Sequence, residues 1–220
     1  MLELNLTVVD VAPAKHAAAP TLYFKLAISQ KVGQGEQPVP IQSISLQCQI
    51  RIEAKRRIYK RDEQTRMSDL FGAPARWSQT LHSMLWTHAS VVAPAFESDR
   101  TVVDLPVPCS FDFNLAATKY FYGLEYGEVP LLLLFSGSVF YRDAEGRLEM
   151  DLISWNKEAK YNLPVKIWQD MMEIYYPNCT WLCIDRQAFQ ALYEYKRRHG
   201  YTGFDEALIS LLPDTNTVAL

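Results

Sequence analysis

The sequence lacks the short motifs that mark most catalytic and nucleotide-binding proteins. It contains no P-loop, no G-x-G-x-x-G fingerprint and no H-E-x-x-H zinc motif, and its four histidines are scattered. No close pair of carboxylates stands out from ordinary surface charge. Ser136-Gly137-Ser138 lacks the G-x-S-x-G elbow that would expose a nucleophile, so we expect a kink or bulge in a strand there. These absences predict a protein that is not an enzyme and needs no cofactor.

Long apolar runs and an excess of one charge are also missing. The longest aliphatic run, at 129–135, is far too short to span a bilayer. Residues 1–11 have neither the basic region nor the long apolar core of a secretory signal. The formal net charge of -3 gives no overall attraction to nucleic acid or to an anionic membrane. We therefore expect a cytoplasmic protein whose partners are neither nucleic acid nor membrane.

The four cysteines do not have the spacing of a standard metal or redox site. Cys179 and Cys183 are separated by three residues, whereas redox motifs usually have two and zinc sites bring a second pair of ligands. Structural thiols are expected, although a disulfide or a metal at this pair stays an alternative. His82 and His88 are expected to be surface or partly buried histidines, with an acid-base or metal role as the alternative. If the segment between them is a strand, their even spacing places both on one face.

Alternation of apolar and polar residues in the first half predicts β-strands. The clearest example runs from Ile44 to Ile52, and 2–8 and 22–28 show the same pattern. Further strands are expected at 87–92, 101–105, 111–115, 129–141 and 147–155. The last two are separated by a hairpin turn signal, DAEG, and in the final strand an apolar face at 148, 150 and 152 opposes acidic residues. Such alternation is typical of antiparallel sheets with one buried face.

A charge cluster, KRRIYKR at 55–61, interrupts this pattern. Basic residues interleaved with Tyr59 would suit a nucleic-acid surface. However, Asp62 and Glu63 follow at once and the whole chain is slightly acidic, which favours a solvated strand end or loop. A long connection with one or two short helical turns is expected to follow it.

From Pro164 the apolar residues recur at helical spacing. Pro164 suits a first helical turn and Pro177 ends that helix. Asp185 is a suitable N-cap for a second helix, which Gly200 closes. A short third helix is expected near Thr202, with Asp205 at capping-box spacing.

The first two of these helices share a stripe of aromatic residues and methionines. Its members are Trp168, Met171, Met172, Tyr175, Phe189 and Tyr193. Packing against the sheet is the default interpretation of such a stripe. Adaptable methionine and aromatic surfaces are also what promiscuous protein-binding grooves use. The six residues are therefore the candidate partner-binding residues, and the sequence leaves open whether they form core or binding surface.

Several long segments resemble an uncharacterised bacterial family catalogued only as a domain of unknown function. They are WSQTLHSMLWTHASVV at 77–92, the stretch 101–141, PVKIWQDMMEIYYPN at 164–178 and FQALYEYKRRHG at 189–200. Members of that family are often encoded near nickel–iron hydrogenase genes. The resemblance therefore implies a hydrogenase subunit or maturation factor as partner, but it brings no established activity or catalytic residue.

The C-terminal segment is also similar to the end of the SecB export chaperone. The matching residues are Pro164, Tyr176, Pro177, Leu182, Ile184, Phe189, Leu192 and Tyr193. Residues 55–108 have no counterpart there, and the chain lacks that chaperone's strong acidity. The similarity thus implies a sheet-plus-helices fold more than a role in export.

Together these observations predict an α+β protein with an antiparallel, β-rich body, SecB-like or sandwich-like, and two to three C-terminal helices packed on it. We expect a single domain over 1–220, with the body at 1–160 and the helical layer at 164–212. The predicted function is that of a non-catalytic, protein-binding accessory factor, chaperone-like and linked to hydrogenase assembly, with homo-oligomerisation also compatible. A metal-handling factor, an enzyme of unknown reaction and a structural subunit of a larger complex are the alternatives.

Overall fold

A computed structural model describes residues 2–31, 33, 37–110, 115–180 and 183–212. Residue contacts divide the chain into two compact units, Met1–Cys179 and Thr180–Leu220. The first unit carries both β-sheets, and the second carries the last two helices. The predicted single domain over 1–220 stays a prediction.

Eight strands are present in the described part of the chain. They are β1 Leu4–Pro13, β2 Thr21–Gln30, β3 Ile41–Ile52, β4 Met84–Ala93, β5 Arg100–Pro108, β6 Glu128–Arg142, β7 Leu148–Ile153 and β8 Glu158–Pro164. One antiparallel sheet has the order β1-β2-β5. The other has the order β4-β3-β6, and the outer edge of β6 pairs with both β7 and β8. β6 therefore connects most of the second sheet.

The inner faces of the two sheets share one apolar core. In β3 the alternate residues from Ile44 to Ile52 are fully buried, as their spacing predicted. Phe24 in β2 meets Trp86 in β4 and Tyr161 in β8 edge-on, with ring centroids 6.2 and 6.3 Å apart. These contacts join the two sheets, and Trp86, the third residue of β4, is buried in the core.

Short helices fill the connections of the first unit. They are α1 Arg61–Arg66, α2 Ser68–Phe71 and α3 Trp77–Thr80 between β3 and β4, α4 Leu115–Tyr122 before β6, and α5 Val165–Tyr175 after β8. The second unit contains α6 Arg186–His199 and α7 Phe204–Leu211. Antiparallel sheets followed by C-terminal helices confirm the α+β class. Among the described residues, none of these helices combines the length and the apolarity required to cross a bilayer.

Two expectations from the sequence differ from the structure of the first unit. The predicted strand at 111–115 falls mostly on residues 111–114, which lie outside the described residues, and Leu115 begins α4 instead of ending a strand. β8 was not predicted, although it pairs with the first half of β6. Ala159, Tyr161 and Leu163 alternate with polar residues along it, and of these three Ala159 and Leu163 are buried.

The capping residues of the second unit lie largely where the sequence predicted them. The carboxylate of Asp185 accepts hydrogen bonds from two backbone amides of the first turn of α6, at 2.7 and 3.4 Å. Gly200 ends α6 in the left-handed conformation. At α7, Thr202 bonds to Glu206 instead of the predicted Asp205, through its amide at 2.9 Å and its hydroxyl at 3.1 Å. The sequence therefore predicted the caps of α6 correctly, and it predicted the wrong acidic partner for Thr202 at α7.

Candidate functional site

The first half of the predicted partner-binding stripe lies in the core of the first unit. Trp168, Met171 and Met172 are 3%, 0% and 6% exposed. The Trp168 ring stacks on the ring of Phe121 of α4, with centroids 5.1 Å apart. The ring of Tyr122 meets the Trp168 ring edge-on, with centroids 4.9 Å apart. Core packing, one of the two interpretations that the sequence left open, is what the structure shows for these three side chains.

Tyr175, the last residue of α5, joins the helix to the turn between β1 and β2. Its hydroxyl donates a hydrogen bond to the carbonyl of Ala14 at 2.6 Å and accepts one from the amide of Ala17 at 3.1 Å. Both bonds satisfy backbone groups of a loop that does not belong to the sheet ladder. Tyr175 therefore orients α5 against the first sheet.

Phe189 and Tyr193, the other two members of the stripe, belong to the second unit. Within that unit both rings pack near Phe204 of α7, with centroid distances of 5.5 and 6.4 Å. They retain 44% and 48% of their surface exposure. For these two residues a partner-binding role stays a prediction.

The predicted metal candidates are exposed. His82 lies before the start of β4, and His88 lies on β4, so the two do not share a strand face as the sequence had suggested. Cys179 and Cys183 are exposed thiols that belong to different units. Among the described residues, no group of three or more histidine, cysteine, aspartate and glutamate side chains is placed to hold a metal ion.

A buried ion pair lies behind the charge cluster at 55–61. The carboxylate of Glu63 accepts hydrogen bonds from the Arg57 guanidinium at 2.9 Å, from the Lys60 amide at 2.9 Å and from the Glu125 amide at 3.2 Å. Burial alone would raise the pKa of this carboxyl, but the two amide bonds and Arg57 outweigh it and hold the pKa below its ordinary value. Glu63 is therefore ionised in the interior.

Arg57 also fastens the segment before β6. Its guanidinium donates to the carbonyls of Tyr126 and Glu128, in addition to the Glu63 carboxylate. One buried cation thus links the charge cluster, helix α1 and the start of β6. Sequence reasoning missed this pair, because nothing in the spacing of Arg57 and Glu63 distinguishes them from their solvated neighbours.

Tyr59 forms the second anchor of the same segment. Its hydroxyl donates to the carbonyl of Ala54 at 2.8 Å, and it lies 2.8 Å from the hydroxyl of Tyr120, which must then be the donor between them. Burial raises the pKa of Tyr59 to about 12 and also raises that of Tyr120. Both phenols are therefore neutral, and they tie the charge cluster to helix α4.

The alternating face of β7 points outward instead of inward. Leu148, Met150 and Leu152 are 59%, 51% and 71% exposed. On the other face Ile153 is buried, and the Asp151 carboxylate accepts a hydrogen bond from the Leu2 amide at 2.9 Å. The sequence predicted correctly which residues share a face. It did not show that the apolar face is in water.

This exposed face continues across the second sheet. The strand register places Leu152 opposite Ser138 of β6, and Ser138 opposite Ser45 of β3, which is opposite the exposed Val92 of β4. One row further along, Met150 lies opposite the half-buried Phe140. We call this set the β7 surface. Its members are Val92, Phe140, Leu148, Met150 and Leu152.

Comparison with known proteins gives a family and little else. No curated protein matches the chain. The solution structure of a protein described as late embryogenesis abundant (LEA) is 15% identical, with a match over 74% of this chain and 72% of that chain. Its TM-score of 0.32 is too low to support a conclusion about fold or function.

A family model, by contrast, covers nearly the whole chain. It is the model of the Family of unknown function (DUF6084), and it matches residues 1–219. The match includes both sheets, the helices of the first unit and the two helices of the second. The chain therefore belongs to the Family of unknown function (DUF6084).

Proposed function

We propose that this protein is a non-catalytic, cytoplasmic accessory factor that binds another protein through the β7 surface, in the manner of a chaperone. The exposed apolar face of β7 is the observation that carries the proposal. Leu148, Met150 and Leu152 form a row of exposed apolar side chains along β7, and exposed apolar patches rimmed by polar residues mark protein-interaction sites.

The geometry of β7 suits strand addition. Within the described residues β7 ends the sheet order, and no strand pairs with its outer edge. An extended segment of a partner would take its main-chain hydrogen bonds from that edge, and its apolar side chains on the same face would pack beside Leu148, Met150 and Leu152. Covering Leu148, Met150 and Leu152 would contribute about 1 to 2 kcal/mol each, because half or more of each side chain is still in water.

The identity of the client rests on the resemblance described above. Members of the resembled bacterial family are often encoded near nickel–iron hydrogenase genes, which supports a hydrogenase subunit or maturation factor as client. A permanent structural subunit would use the same surface. A client that dissociates once it has matured distinguishes the accessory factor from such a subunit.

The experiment compares what a tagged chain captures from its native cells. We expect wild type to recover a hydrogenase subunit or maturation protein, and Leu152→Lys to recover about tenfold less, as for a central interface residue. Glu149→Gln is the matched control, since it changes the exposed acidic neighbour on the same strand and leaves the apolar face intact.

Two results would contradict the proposal. Recovery of neither hydrogenase nor maturation protein by wild type would remove the proposed client. Equal recovery by Leu152→Lys and Glu149→Gln would remove the β7 surface as its binding site. Thermal unfolding of all three proteins provides the folding check, because both substituted side chains are exposed.

A further inference from the structure

The charge cluster at 55–61, which we call the basic loop, contains one exposed isoleucine, Ile58. Arg57 and Lys60 have extended backbone angles, and the residues from 57 to 60 alternate between buried and exposed side chains. Arg57 and Tyr59 point inward to the buried network. Ile58 is 95% exposed, and Lys60 is exposed beside it. Full exposure of a β-branched aliphatic side chain has no role in folding.

The exposure of Ile58 is fixed by the residues on either side of it. Arg57 is held by Glu63 and by two backbone carbonyls, and Tyr59 is held by Ala54 and Tyr120. The bonds end on α1, on the segment that leads into β6, on Ala54 and on α4. The backbone of the loop is therefore held in place before a partner binds. A partner that contacts Ile58 does not incur the entropic cost of ordering the loop.

Four exposed cations without carboxylate partners in the described part of the chain lie within three residues of Ile58 in the sequence. Lys55, Arg56, Lys60 and Arg61 are exposed, and within the described residues none of them forms an ion pair. The acidic residues nearest in the sequence, Glu53 and Asp62, leave the exposed surface of the loop net positive. A positively charged loop with one exposed aliphatic residue is complementary to an acidic ligand that carries an aliphatic group.

A groove beside the loop extends the positive surface. It has a volume of about 480 Å³, and its lining residues are Arg56, Pro130 and Leu131 of β6, and Lys160, Tyr161 and Asn162 of β8. Lys160 shares its charge with Glu158 at 3.4 Å, so Arg56 is the unpaired cation of this groove. A carboxylate of an extended chain seated over Ile58 would enter the groove beside Arg56.

We propose that the basic loop docks an acidic segment of a partner protein, with an aliphatic side chain of that segment on Ile58 and its carboxylates on the surrounding cations. The inference deepens the proposed function, on which it rests for the existence of a protein client, and it assigns a second contact away from the β7 surface. The client thus has two features: a strand for β7 and an acidic segment for the basic loop.

The same observations argue against nucleic acid and lipid. Base stacking needs an aromatic face, but Ile58 has none and the ring of Tyr126 is covered by the Lys60 ammonium at 4.4 Å. A bilayer is flat and would leave the groove beside Arg56 unfilled, and one aliphatic side chain gives little insertion energy. A protein segment uses the cations, the aliphatic residue and the groove together.

Binding of a synthetic peptide tests the proposal. The probe is a short fluorescent peptide with a central leucine flanked by glutamates, and its control has glutamines in place of the glutamates. We expect the acidic peptide to bind wild type, with an affinity that falls as salt rises. Ile58→Ser should weaken binding about tenfold, and Lys60→Gln about two- to five-fold. Arg100→Gln, an exposed cation of β5, should leave it unchanged.

Each alternative outcome overturns the inference. If the glutamine peptide binds wild type as tightly as the acidic peptide does, the loop does not recognise negative charge. If Ile58→Ser binds the acidic peptide as tightly as wild type does, Ile58 does not contribute to binding. Binding of a single-stranded oligonucleotide or of phosphatidylserine vesicles, but not of the peptide, would assign the surface to those ligands. Leu152→Lys should bind the peptide like wild type, so a failure of the β7 proposal and a failure of this one give different results.

Discussion

Replacement of Glu63 by glutamine should lower the free energy of unfolding by about 3 kcal/mol at neutral pH. The carboxylate accepts three hydrogen bonds, two from backbone amides and one from Arg57. An amide group has one oxygen, and its NH2 group would face a donor, so at least one bond is lost. A hydrogen bond to a charged group contributes about 1.5–3 kcal/mol. In addition, the buried Arg57 guanidinium loses its counter-charge.

The effect of this substitution should depend on pH in one direction. The pKa of Glu63 in the folded protein is below its unfolded value, so its stabilisation is present above the ordinary pKa and is lost as pH falls through the lower, folded value. Wild type should therefore lose stability in that acidic range relative to Glu63→Gln. The difference between the two proteins should shrink as the pH is lowered.

Urea unfolding followed by tryptophan fluorescence, at neutral pH and through the acidic range, measures both effects. Glu125→Gln is the matched control, because it removes the exposed ion pair with Arg66 and keeps the backbone amide that serves Glu63. An exposed pair contributes about 0–1 kcal/mol. A loss in Glu63→Gln no larger than in Glu125→Gln, or a loss independent of pH, would refute the account of the buried network.

Three further substitutions or labels test the fold. Gly137→Ala should destabilise the second sheet severely, since an added Cβ would lie 2.0 Å from the Ser45 carbonyl oxygen and the residue has a positive φ; loss of soluble, folded protein on expression is the expected result. Trp168→Ala should cost about 3–5 kcal/mol in urea unfolding, as for a buried aromatic residue. Iodoacetamide should label the exposed Cys179 in the native protein, whereas burial raises the pKa of Cys48 to about 12 and should protect it until the chain unfolds.

The sequence was sufficient for elements whose pattern has only one physical solution. The alternation from Ile44 to Ile52 gives a strand with one buried face, because five aliphatic or thiol side chains at alternate positions have no other way to leave water together. The caps at Asp185 and Gly200 were equally local, because each depends on one residue and its own backbone.

Which face of a strand or helix is buried could not be predicted from the local sequence, because it depends on contacts with distant residues. β7 alternates as regularly as β3, yet its inner face is chosen by the position of Ile153 and by the bond between Asp151 and the Leu2 amide, residues far apart in the sequence. Helical spacing likewise gives the same stripe for a core helix and for a binding helix. Only the contact of Trp168 with Phe121 of α4 decides that α5 is a core helix.

The basic loop shows a third reason why sequence reasoning falls short. Its composition drew attention to charge, and the prediction of a solvated loop was correct for Lys55 and Arg56. The exposure of Ile58 follows from the anchoring of its two neighbours, which depends on Glu63 and Tyr120. When a side chain is exposed because its neighbours are buried, no pattern in the sequence around it predicts that exposure.

The pairing of β3 with β6 has a consequence for how the chain acquires its fold. β3 meets β4 after one connection, but its other edge waits for β6, which is made only after α4. Closing so long a loop is entropically costly and slows folding. During synthesis the backbone N–H and C=O groups along this edge of β3 therefore stay unpaired until β6 leaves the ribosome. A nascent chain halted before β6 has left the ribosome should need a holding factor, whereas one from which residue 142 has emerged can pair β3 with β6.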